Sequence, residues 1–286
     1  MPIAVAGDAL FYCSMQSRPD PDAAEKRRIA QDFAARGGSI SFDDAGWDYP
    51  VHRAALDGTG DVTLAIADSP GELACDGERV YWTEPYRDRV LAVPRDGGEP
   101  SVILDGISFP HAILADADAI YVGALKHAGL VRIDRATWQH AFVSRSPAGA
   151  LVADATAIYW ASDDEVWRAA KAGGEPALVT RARSSVGALA LGGGFLYLLA
   201  GSTVARVRSD GGVPEVVATD AAPSSRALAA DATGVYWSLD RAGLRWRGHA
   251  GDERAFATPP REPRFVVATP HGLYTTGSDG AYVVTA

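Results

Sequence analysis

Apolar and polar positions along this chain alternate in short runs, and the runs return at a fixed interval. An apolar run ending in tyrosine occurs at Phe11-Tyr12, Val80-Tyr81, Ile120-Tyr121, Ile158-Tyr159, Leu196-Tyr197, Val235-Tyr236 and Leu273-Tyr274. Successive tyrosines are 38 to 40 residues apart, except the first pair, which are 69 apart. Before most of these tyrosines lies a second apolar stretch closed by Asp or Gly, as in LACDGERVYW and LVADATAIYW. Such a pattern reads as strand, tight turn, strand. After each tyrosine come a polar loop, a third alternating strand (VLAVPRD, LVRIDRA, VARVRSD), a turn such as Asp96-Gly97-Gly98, and a fourth strand (SVILD, ALVTR, EVVAT). Four hairpin-linked strands make one propeller blade, and a blade buries both faces only when neighbours stack on it.

The pattern predicts an all-β chain: a seven-bladed β-propeller of four-stranded antiparallel blades, one domain over residues 1–286, with the last blade short. The long first interval holds an insertion, residues 15–48, within blade 1. Asp22 caps a predicted helix over AAEKRRIAQDFAARGG, which stops at Gly37-Gly38 and sets Ile29 and Phe33 on one face. The insertion is expected to act as a helical lid or as cover for an exposed edge.

Composition narrows the partners. The net charge of -9 opposes binding to nucleic acid, which needs clustered Lys and Arg to release counterions. No stretch approaches the ~18 uninterrupted apolar residues that span a bilayer, so no membrane association is expected. Residues 1–14 lack a basic leader and carry Asp8 inside the apolar run, so they read as blade rather than signal peptide. With two cysteines, Cys13 and Cys75, a disulfide framework is absent, and a reducing, cytoplasmic setting and a monomer are expected. There is no Asn and there are three Gln, which disfavours calcium and sugar sites built on carboxamides. No cofactor and no metal are expected: no Cys and His spacing supports zinc, and Gly192-Gly193-Gly194 lies in a β-turn where it cannot start a phosphate-binding helix. No GxSxG elbow occurs.

The pattern LAxDxxxVYW with a downstream DGG turn, nearest at Val80-Tyr81-Trp82-Thr83, resembles the YWTD-type propellers of the low-density lipoprotein receptor class and the bacterial TolB-like propellers. The resemblance implies architecture. Those families are usually described with six blades, whereas seven tyrosine units are present here. The segment FPHAI at residues 109–113 is also similar to streptogramin-lyase propellers, which begin inner strands with Pro-His dipeptides. The second such dipeptide, Pro270-His271, falls in a turn at the opposite rim, so that family's metal-assisted His and Glu set is not carried over.

Loops entering the inner strands share a face with loops leaving the tyrosine strands, and that face is the expected ligand site. Ten residues before three of the tyrosines stand His111, Arg226 and Arg264, each able to carry positive charge beside the axial channel. His111 is the candidate acid or base, Glu72 or Glu84 its carboxylate partner, and Arg226 with Arg264 a clamp for a carboxylate or phosphate. Cys13 is a candidate nucleophile if a neighbour lowers its pKa. Trp82, recurring as Trp160 and Trp237, and Trp47 are candidate aromatic walls as well as packing. Lys126, His127, Asp163, Asp164, Asp240 and Asp279 lie across the rim. Two functions follow: an enzyme acting on a small anionic molecule at the mouth (isomerase, cyclase, lyase or hydrolase), or a non-catalytic propeller binding a protein or peptide there.

Overall fold

A computed structural model describes residues 2–17, 28, 31, 47–126, 129–222, 226–239, 243–256, 263, 265–270, 272–276 and 281–284. The strands pair in sequence order into seven antiparallel sheets. Blade 1 is β1 (Ile3–Ala6), β2 (Ala9–Cys13), β4 (Trp47–Ala55) and β5 (Val62–Ala67), with the short β3 (Gln16–Ser17) paired to the head of β4. Blade 2 is β6 (Leu73–Cys75), β7 (Arg79–Glu84), β8 (Arg89–Pro94) and β9 (Ser101–Asp105). Blade 3 is β10 (Pro110–Ala115), β11 (Ala119–Ala124), β12 (Gly129–Asp134) and β13 (His140–Ser144). Blade 4 is β14 (Leu151–Ala153), β15 (Ala157–Ser162), β16 (Glu165–Ala170) and β17 (Ala177–Arg181). Blade 5 is β18 (Val186–Gly192), β19 (Phe195–Ala200), β20 (Thr203–Arg208) and β21 (Glu215–Ala218). Blade 6 is β22 (Leu228–Ala230), β23 (Gly234–Leu239), β24 (Gly243–Gly248) and β25 (Glu253–Phe256). Blade 7 has three strands, β26 (Phe265–Thr269), β27 (Gly272–Thr276) and β28 (Ala281–Val284).

The repeating sequence pattern has a physical cause that the hydrogen bonds expose. In blade 4 the Asp154 carboxylate accepts the Thr156 and Ala157 N–H groups at 2.7 and 2.8 Å with one oxygen, closing the first hairpin turn. Its other oxygen accepts the Tyr159 hydroxyl at 2.9 Å. Asp76 with Tyr81 and Asp231 with Tyr236 repeat the arrangement. The aspartate therefore shapes the turn and gives the buried tyrosine its partner, which a phenol removed from water needs. Blade 5 solves the problem differently. Gly192-Gly193-Gly194 replaces the aspartate, and Tyr197 bonds His249 of the next blade at 2.8 Å. A Cβ on Gly193 would stand 2.3 Å from His249 Nε2, so glycine there makes room for the imidazole.

Between blades the core is apolar and aromatic. Trp82, Trp160, Trp237, Tyr81, Tyr159 and Tyr197 are fully buried, each such side chain stabilising its blade contact by ~2–3 kcal/mol. The ring closes by side-chain packing: β26 lies beside β1 on one side and β22 on the other, and Tyr274 joins Ile3 and Leu10 in one cluster.

The expected helical lid has no support among the described residues. The helix predicted after Asp22 falls outside them, apart from the isolated positions Arg28 and Gln31. Among the described residues no helix is long and apolar enough to cross a membrane.

Candidate functional site

The chain bends into the channel at the entry to β6. Gly71 donates its N–H to the Thr83 carbonyl at 2.9 Å, and a Cβ there would come 2.6 Å from Thr83 Oγ1 and 3.2 Å from the His111 carbonyl. Only glycine permits that approach, and it delivers Glu72 to the channel wall with its own N–H on Thr83 Oγ1 at 3.0 Å. Glu72 Oε2 accepts the Ile113 N–H at 3.2 Å, and Oε1 accepts Arg226 Nη1 at 3.0 Å. Arg226 comes from the loop before β22, on blade 6, and its other terminal nitrogen bonds His111 Nε2, which enters with β10 of blade 3. Three blades thus meet in one network: the arginine reaches across the mouth to a carboxylate and an imidazole on the opposite wall.

Electrostatics sort the roles. Burial pushes the Glu72 carboxyl up to about 7, against Arg226 and the Ile113 N–H, which pull it down. The same group keeps 22% of its side chain exposed, so it remains open to the channel. His111 is held down at about 4, first by burial and then by the Arg226 charge. It is therefore neutral at pH 7, accepting from Arg226 at Nε2, and its proton sits on the buried Nδ1, which has no partner. A base of that strength lies far from neutral pH, whereas the Glu72 carboxyl, at about 7, lies close to it.

Below this network the axial channel holds a cavity of about 220 Å³, lined by Glu72, Arg226, Ile3, Ala150, Gly187 and Phe265 among others. Phe265 is a wall and leaves the cavity open. Beside it at the rim stands a group that the sequence reading missed. Phe109 holds φ +55, a conformation costly for an aromatic residue. Its N–H on the Asp88 carboxylate at 2.8 Å and its carbonyl under the Leu125 N–H at 3.2 Å keep it there. Tyr86, 76% exposed, packs edge-on against Phe109 at 5.6 Å, and Lys126 lies over the ring at 4.7 Å. The one local signal was a phenylalanine directly before Pro110 at an inner-strand entry.

Other expected site residues are placed elsewhere. Glu84 is 1% exposed and spent on structure: it accepts from Arg89 at 2.8 Å, Trp82 Nε1 at 3.1 Å and the Asp68 N–H at 2.8 Å. It does not reach the mouth as a catalytic carboxylate. Trp82 is fully buried by the same contacts and offers no wall to a ligand. Cys13 is fully buried and its thiol is pushed up to about 12 by desolvation, so it is no nucleophile at neutral pH. Trp47 is 46% exposed at the head of β4, away from the cavity lining. In the acidic run at 163–165, Glu165 is engaged by Arg181 at 2.5 Å and Trp167 Nε1 at 2.9 Å. Arg264, His127, Asp240, Asp279 and His271 lie outside the described residues. No group of three or more His, Cys, Asp or Glu able to hold a metal ion occurs among the described residues.

Fold and site together define a closed seven-bladed β-propeller with an ionisable network at the mouth of its axial channel. No family model matches the chain. Over 73 residues it is 32% identical to the sortilin-related receptor of Mus musculus and 30% to that of Homo sapiens, a stretch covering 25% of this chain and 3% of either receptor. Among solved structures it is similar to virginiamycin B lyase from Staphylococcus aureus, with 12% identity, a TM-score of 0.63, and coverage of 95% of this chain and 97% of that one. A gluconolactonase from Xanthomonas campestris aligns at 16% identity and TM-score 0.55 over 74% and 84% of the two chains. A chain of the Mitotic Checkpoint Complex aligns at 13% and 0.66 over 84% and 86%. The YWTD-like and lyase-like resemblances hold as architecture; at such identities the solved structures share the fold alone.

Proposed function

We propose that this propeller binds a small anionic molecule at its axial mouth and transfers a proton to or from it, with Arg226 as the anion-binding group and Glu72 as acid or base. One observation carries the reading: Glu72, His111 and Arg226, from blades 2, 3 and 6, converge in hydrogen-bonding contact over a cavity of about 220 Å³. An incoming carboxylate competes with Glu72 for the guanidinium, whose paired donors suit it. Losing that counter-charge raises the proton affinity of Glu72 further, so ligand entry itself readies the carboxylate to take a proton. Neutral His111 positions Arg226. The reaction class within lyases, isomerases, cyclases and hydrolases follows from the ligand. Two free cysteines support a reducing, cytoplasmic setting.

The test is thermal-shift and calorimetric titration with succinate, lactate and inorganic phosphate, on the wild-type protein and Arg226→Met. The expected result is stabilisation by at least one anion and ~10-fold or greater weakening in the variant, as for the loss of a charged hydrogen bond. No response from the wild type to any of the three, or equal binding by the variant, removes the assignment.

A second reading has its own support. Met15, Trp47, Tyr86 and Leu125 are exposed, and all four lie on loops or strand ends of the mouth face. Exposed apolar groups gathered on one face suit a protein or peptide partner, and a chain of this fold is part of the Mitotic Checkpoint Complex. On this reading Trp47→Ser with Tyr86→Ser abolishes peptide capture, whereas Arg226→Met leaves it intact.

A further inference from the structure

Blade 1 breaks the repeat at several positions at once, and the departures meet in space. In blades 3, 4 and 5 the residue opposite the tyrosine on the next strand is an arginine, Arg132, Arg168 or Arg206. In blade 1 the residue opposite Tyr12 is His52. The turn aspartate five residues before the tyrosine is replaced by Gly7, and the Tyr12 hydroxyl instead donates to Asp61 at 3.0 Å. The Tyr12 ring stacks on the imidazole, with centroids 4.7 Å apart and planes within 10°. Two residues past Tyr12, at the foot of the insertion, Ser14 Oγ lies 2.8 Å from His52 Nε2. On the far side of the ring His52 Nδ1, which makes no hydrogen bond, faces Asp61 Oδ1 at 3.3 Å.

A hydroxyl, an imidazole and a carboxylate in this order make serine nucleophilic, whatever their order or spacing along the chain. Access fits as well. His52 is 6% exposed, but Ser14 is half-buried and Asp61 is exposed. Tyr12 packs with the blade 7 side of blade 1, while its neighbours Phe11 and Cys13 pack toward blade 2.

We propose that Ser14 is the nucleophile of an ester-cleaving site at the seam of blades 1 and 7, with His52 as its base and Asp61 as the positioning residue. Ser14 Oγ bonds to the carbonyl carbon of a carboxylic ester as its proton passes to His52 Nε2. The carbon–oxygen bond to the alcohol then breaks, and the alcohol leaves with that proton. Water adds to the acyl-serine through the same shuttle, releasing the acid and restoring the hydroxyl. This site is separate from the axial mouth and does not depend on it.

The experiment treats the full chain with an alkyl fluorophosphonate, followed by intact mass and peptide mapping. Here Ser14 Oγ bonds phosphorus, fluoride leaves and His52 takes the proton. The expected result is a single adduct on Ser14, absent from Ser14→Ala and slowed ~100-fold or more in His52→Gln, in keeping with loss of a catalytic base. Asp61→Asn is expected to slow the reaction, and Asp61→Glu, which keeps a carboxylate, to restore it in part; a purely structural role leaves the near-isosteric Asn variant as fast as the wild type. Melting curves confirm that each variant is folded, and Ser14→Ala, which removes one oxygen, is the safest of the four. No adduct on the wild type, an adduct on another residue, or a rate indifferent to His52→Gln overturns the proposal.

Discussion

Glu72→Gln tests the electrostatics of the mouth through stability rather than activity. In the folded protein the Glu72 carboxyl titrates near about 7, whereas its ordinary value is 4.5. Between these two values the folded state holds a proton that the unfolded state has released. Stability is therefore full below pH 4.5 and is lost as pH rises through 7. At ~1.4 kcal/mol per pH unit the gap amounts to about 3 kcal/mol. The amide mimics the protonated acid, so wild type and variant should unfold alike at pH 4. At pH 8 the variant should be more stable by about 3 kcal/mol, by the same linkage. The measurement is urea unfolding followed by tryptophan fluorescence at pH 4, 5, 6, 7 and 8, with the difference between the two proteins plotted against pH. His111, held at about 4 and so losing stability as pH falls from 6.5 through 4, runs in the opposite sense. It is present in both proteins and cancels in the difference. A flat difference, or one that favours the wild type as pH rises, refutes the claim that burial outweighs Arg226 at Glu72.

Two further outcomes follow from the packing. Cys13 and Cys75, both pushed up to about 12 by burial, should resist an aromatic disulfide reagent in the native protein at pH 8 and react fully in denaturant; a fast native reaction at Cys13 would reinstate it as a nucleophile. Asp154→Ala removes the acceptor of two turn N–H groups and of the Tyr159 hydroxyl. It should cost about 2–3 kcal/mol, given ~1 kcal/mol per hydrogen bond and more where a buried group is left bare, and an unchanged urea midpoint would contradict that role.

What was readable in the chain is what depends on near neighbours. In blades 2, 4 and 6 the aspartate and the tyrosine are five residues apart and meet across one hairpin, so their bond leaves a regular trace. Blade count, strand order and the short last blade follow from repeating that unit. Even the exceptions were visible as exceptions: the glycine run in blade 5 and the long first interval both stood out. Their meaning was not visible, because the partner of Tyr197 is His249, 52 residues on.

The candidate sites depended on ring closure. Glu72 and Arg226 are 154 residues apart, and nothing local to either requires the other. The same chemistry at Glu84, twelve residues further along, is consumed by Arg89 and Trp82 because its side chain turns into the blade. Ser14, His52 and Asp61 carry no recognisable spacing, yet strand pairing sets Tyr12 against His52 and brings the other two alongside. Alternation along a strand can tell which side chains face a neighbouring blade. Which of them become buried partners, which stay open to a channel and which charges meet across it are set by the closed ring, since desolvation and Coulomb energy depend on distances that only the assembled structure possesses.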